Sequence, residues 1–109
     1  MILSFDHVQV LIPSGRLDEA LAFYIDVLGF TRVPKPTDMS QSGAWMTGGN
    51  VNLHWGEDGV PFSASGHAHP ALRVDNVQEL MLASRQNGLK ARMDNGPSGF
   101  YRGSVWKSY

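Results

Sequence analysis

Two histidines about sixty positions apart, His7 and His69, each sit near the start of a stretch that alternates in residue type, FDHVQVLI over Phe5–Ile12 and AHPALRV over Ala68–Val74. A third, His54, lies in NVNLHW over Asn50–Trp55. Imidazole is the side chain best suited to take or give a proton near neutral pH, to hold a divalent ion, or to hydrogen-bond a ligand. Side chains alternate across a strand, so Phe5, His7, Gln9 and Leu11 share one face and Val8, Val10 and Ile12 the other. By the same rule Asn50, Asn52 and His54 oppose Val51, Leu53 and Trp55, while His69, Ala71 and Arg73 oppose Pro70, Leu72 and Val74. Each stretch thus has a greasy face and a face rich in His, Asn, Gln and Arg. A merely solvated face more often carries Lys, Glu and Thr, so this one is expected to be a pocket wall.

Helices must position these faces. Leu17, Ala20, Leu21, Tyr24 and Leu28 recur at helical spacing, with Asp18 and Glu19 in the first turn, which predicts a helix from about Arg16 to Leu28 ending at Gly29. A second helix is expected from about Val77 to Asn87 before Gly88. Asn76 is placed as its cap, Glu79 follows at capping-box spacing, and Val77, Leu80, Met81 and Ser84 form its inner face. A strand, then a helix, then further strands is therefore written twice, and the chain is predicted to be α+β. Thr47-Gly48-Gly49-Asn50 reads as a hairpin joining a strand near Ala44–Met46 to the Asn50 strand. Pro34–Ser42 is expected as a loop and Gly56–Gly66 as the connector between halves. After the second helix only Leu89–Met93 and Tyr101–Lys107 read as strands, linked by Asn95–Gly99, so internal symmetry leaves one strand missing at the carboxyl end.

Composition bounds the function. The 109 residues carry nine basic and ten acidic side chains, a net charge of -1 with neither sign clustered, which argues against nucleic acid and anionic membranes as partners. With no cysteine, disulfides, thiolate metal sites and cysteine nucleophiles are excluded. No stretch approaches the ~18 apolar residues of a membrane span, and no basic and apolar leader opens the chain, so a cytoplasmic location is expected. One domain, residues 1–109, is expected, with a first module of about 5–55 and a second of about 67–109.

The ordered segments FDHVQVLIP, FYIDVLGF, GGNVNLHWG and HAHPALRV followed by DNVQEL resemble the vicinal oxygen chelate superfamily, which includes glyoxalase I, bleomycin-resistance proteins and extradiol dioxygenases. The resemblance implies two βαβββ modules forming a curled mixed sheet around a cleft, the second module truncated here. It further implies that His7 and His69 stand at the two first-strand metal positions, for Zn, Ni, Fe or Mn. Asn52 occupies the place where a glutamate often sits. Two features depart from the metal-dependent members. An amide is a poor ligand for these ions, although His54 shares its face, and the closing segment with its glutamate ligand is absent where Tyr101–Tyr109 stands.

Plainer roles compete with each assignment. His7 and His69 serve equally as core or interface histidines, and Asn52 and His54 as polar lining. Arg73 either meets an anionic ligand group or pairs with Glu57 or Asp58. Trp45, Trp55, Phe62 and Trp106 form either an aromatic box or core and dimer contacts. A glycosidase-type carboxylate pair has no place on the polar face, since none of its strand positions is Asp or Glu. The resulting expectation is a small-molecule-binding protein with Gln9, Trp45, Asn52, His54 and Arg73 against the ligand and no firm cofactor, or alternatively a divalent-metal-dependent lyase, isomerase or dioxygenase. A purely structural module is disfavoured by the polar face. A homodimer whose interface includes Tyr101–Tyr109 is expected, because a terminal strand edge is otherwise left open.

Overall fold

A computed structural model describes residues 1–58, 69–95 and 101–106. The expected positions Phe62, most of the Gly56–Gly66 connector and most of the Asn95–Gly99 link lie outside these residues. Two compact units divide the chain, residues 1–70 and 71–109.

The first unit contains β1 (Val8–Pro13), α1 (Leu17–Ala22), a π-helical continuation (Phe23–Val27), β2 (Thr31–Val33), β3 (Ala44–Gly48) and β4 (Val51–Asp58). Its sheet has the order β1-β4-β3-β2, with β1 parallel to β4 and the other pairs antiparallel. The parallel pair places Gln9 beside His54, and β3 places Trp45 beside His54. Alternation holds as the sequence predicts: Ile12, Leu53 and Trp55 are buried, while Gln9, Leu11 and Asn52 are exposed. With Ala20, Leu21, Phe30, Ala44 and Met46 they make the core. Trp55 belongs to that core, where its indole N–H donates to Met46 Sδ at 3.4 Å and Tyr24 meets it edge to face.

The first helix covers the expected range but not as one α-helix. Leu28 N–H donates to the Phe23 carbonyl, five residues back, and Phe30 N–H closes on the Tyr24 carbonyl at 2.9 Å. A widened turn adds a residue without changing the apolar pattern, so the 3.6-residue period gives no sign of it. Gly29 ends the element at φ 79°. The β3–β4 hairpin turns on Gly49-Asn50, with Gly48 paired to Val51, within the four residues expected.

In the second unit α2 (Val77–Gln86) is followed by the antiparallel pair β5 (Lys90–Asn95) and β6 (Tyr101–Trp106). Asn76 caps the helix, its side-chain oxygen accepting from Glu79 N–H at 3.0 Å, and Met81 and Ser84 are buried. One expectation is corrected here. His69–Val74 forms no strand, and among the described residues of the second unit the first regular element is its helix. Pro70 supplies no N–H to a ladder, and of the six residues only Leu72 is even half-buried, so alternating types found no face to bury. The chain is α+β, with a four-stranded mixed sheet and a separate two-stranded pair. Among the described residues no helix is long and apolar enough to cross a membrane.

Candidate functional site

Three aromatic rings stand side by side on the polar face of the first sheet. Trp45 on β3 stacks on His54 of β4 with centroids 4.2 Å apart and planes 5° from parallel. His54 in turn stacks on His7 at 3.9 Å and 14°. The strand register explains the column, because Trp45 and His54 are direct cross-strand partners and rings on neighbouring strands lie one strand spacing apart. His7 precedes β1, yet it is held in line: Asn52 Nδ2 donates to the Asp6 carbonyl at 3.1 Å, fastening the incoming backbone to β4.

The column is polar at both ends. His7 Nδ1 lies 2.8 Å from Asp6 Oδ1. A carboxylate only accepts, so Nδ1 carries the proton, and in the neutral ring Nε2 keeps its lone pair. At the other end Lys35 Nζ lies over the Trp45 ring, 6.0 Å from its centroid, and donates to the Ser42 carbonyl at 2.6 Å. Burial pushes the His54 pKa below its ordinary value, the neighbouring His7 and then Lys35 push the same way, and Asp6 opposes them. His54 is therefore a neutral imidazole at pH 7, one nitrogen a donor and the other an acceptor.

An open groove of about 670 Å³ lies along this face, within the size range of small-molecule sites. Of the expected ligand contacts Gln9, Trp45, Asn52 and His54 line it, and so does His7. Gly56 leaves room for Gln9 and Leu11 to lie across β4, since a methyl group there would meet Gln9 Nε2 at 2.9 Å and Leu11 Cδ2 at 3.1 Å. His69, near the end of the first unit, and Arg73, in the second, are both exposed and are not among the residues lining this groove. Four polar or charged lining residues escaped sequence reasoning: Asp6, Lys35, Ser42 and Glu57. Asp6 has the wrong strand parity, Glu57 falls with the greasy face, and the other two lie in a loop. The one signal for Asp6 was its place beside His7.

An ion bound by two imidazoles lies near both ring planes at ~2.0–2.1 Å from each nitrogen. Between rings stacked at 3.9 Å a midway ion would stand about 2 Å out of each plane, so His7 and His54 as placed cannot share one. Among the described residues no three His, Asp or Glu side chains gather as such a site needs. These residues do not fit a resident divalent metal.

A mixed sheet whose polar face forms an open, ring-lined groove defines a small α+β fold. The chain belongs to the Glyoxalase/Bleomycin resistance protein/Dioxygenase superfamily, whose sequence profile matches residues 4–104. A glyoxalase-family protein from Bacillus anthracis is 30% identical and superposes with a TM-score of 0.76 over 94% of this chain and 93% of that one. Glyoxylase I 4 of Arabidopsis thaliana is 38% identical over 53 residues, which are 49% of this chain but only 29% of that protein. An antibiotic-binding protein from Streptomyces sp. CB03234 shares the fold at 20% identity, with a TM-score of 0.53 over 94% of this chain and 96% of that one.

Proposed function

We propose that the chain binds a small organic molecule in the groove on the polar face of its first unit, and that it does so without a resident metal. The observation that carries this reading is the Trp45–His54–His7 column inside a groove of small-molecule size. Trp45 and His54 stack on paired strands and His7 is held against them by the tether at Asp6, so a ligand meets a wall that is already ordered. Neutral His54 offers both a donor and an acceptor, and Gln9 and Asn52 add amides, which suits a polar organic molecule better than a bare ion. A protein of the same fold from Streptomyces sp. CB03234 is an antibiotic-binding protein, which supports the reading. A metal-dependent lyase, isomerase or dioxygenase needs a donor set that the groove does not assemble.

A thermal-denaturation screen of aromatic acids, aromatic amines and neutral aromatics, run in EDTA, tests the proposal. A compound at one hundred times its Kd adds about 2.7 kcal/mol to stability, a rise of several degrees. The Trp45→Leu variant is expected to lose most of that rise. Stabilisation that appears only with added divalent metal, or that is unchanged in Trp45→Leu, contradicts it.

A further inference from the structure

Lys35 has a place in the groove that the ring column does not explain. It follows β2, which flanks β3 on the side opposite β4, so its ammonium comes to Trp45 from the side away from His54. The side chain is half-buried and steered by its bond to the Ser42 carbonyl, which uses one of three N–H donors. Among the described residues no carboxylate is within ion-pair distance of Lys35. The two acids in the groove are engaged elsewhere, Asp6 with His7 Nδ1 and Glu57 with Gly15 N–H at 3.3 Å. Two ammonium donors and a positive charge with no ion-pair partner among the described residues thus face the groove beside an indole. At 6.0 Å the ammonium is at the outer limit of a cation–π contact, so a flat group entering over the indole gives up little.

Resting on the binding role proposed above, we infer that the groove selects flat aromatic anions, the ligand ring lying against Trp45 and its carboxylate or phenolate on Lys35 Nζ. Stacking supplies sequence-independent contact area, and the charge-assisted bond supplies the preference for an anion. Lys35 is then the specificity-determining residue. Its charge matters most where water is partly excluded, and Lys35 is the half-buried position of a loop, Pro34–Ser42, that is otherwise exposed.

Calorimetric titration of the full chain with three probes separates the contributions: 2-naphthoate, its neutral counterpart 2-naphthamide, and cyclohexanecarboxylate. 2-Naphthoate is expected to bind at least tenfold tighter than either of the others, and less tightly as ionic strength rises. Lys35→Met should bring naphthoate and naphthamide within about threefold of each other, and Lys35→Arg should keep most of the preference. Far-ultraviolet circular dichroism shows whether each variant is folded, and Lys35→Arg carries the test should Lys35→Met be unfolded, with loss of the preference in a folded Lys35→Arg counting against the inference. Equal affinity for naphthoate and naphthamide in the native chain, or an anion preference that survives in Lys35→Met, overturns it. Absence of naphthoate binding overturns it as well. If neutral or cationic compounds from the screen still bind in that case, the binding role stands and only the anion preference falls.

Discussion

His54 lies between two rings almost parallel to its own, and its chemistry follows from that position. Burial and the adjacent His7 hold its pKa below the ordinary histidine value, so it stays neutral under conditions where an unfolded histidine is half protonated near pH 6.5. Between its lowered folded pKa and about 6.5 the unfolded chain binds more protons than the folded one at this residue. Stability therefore rises with pH through that window and is lost on acidification. We predict that His54 ring protons titrate by NMR with a midpoint below 6.5, and that His54→Gln removes part of the fall in stability between pH 6.5 and 5. A midpoint above 6.5 contradicts the burial argument. Much of the ring column could be read in the sequence, because strand parity alone placed His7, Gln9, Asn52 and His54 on one face. Asp6 and Lys35 could not, since a backbone tether and a loop bring them to the groove rather than a repeating pattern.

At the scale of elements, two glycines with the same backbone sign separate strain from packing. Gly29 and Gly43 both hold positive φ, 79° and 73°. A methyl group at Gly29 would meet open space, whereas at buried Gly43 it would collide with the Trp55 backbone carbonyl of β4. Gly29→Ala should cost about 1–2 kcal/mol, the left-handed penalty alone, and Gly43→Ala more than about 3 kcal/mol, both read from denaturant unfolding. Equal costs would show that the collision relaxes freely. In the second unit Asn76→Ala should cost about 1 kcal/mol through loss of the cap to Glu79 N–H. That cap was legible because it is local, three residues apart. The absent strand at His69–Val74 was misread for the opposite reason: alternation reports what a strand would bury, not whether a partner strand offers a ladder to Pro70 and its neighbours.

For the whole molecule, the family profile spans both units although the structure describes each as its own compact body. Among the described residues β1 is hydrogen-bonded on one side only, and Phe5, shortly before it, and Leu11, within it, are 89% and 51% exposed. Open edges with apolar neighbours are usually covered by association, and a homodimer remains our proposal for the state in solution. Sedimentation across a dilution series should give the dimer mass at micromolar concentration; a monomer at every concentration contradicts it. Occupancy of the ring-lined groove by a small molecule, with no metal present, is the proposal nearer the site. Its most direct measurement is an NMR titration of the EDTA-treated chain with a compound taken from the stability screen, following the ring protons of His7 and His54 and the Trp45 indole. Saturable shifts of all three together are expected. Shifts elsewhere with these three unmoved, or shifts that require added divalent metal, would contradict it.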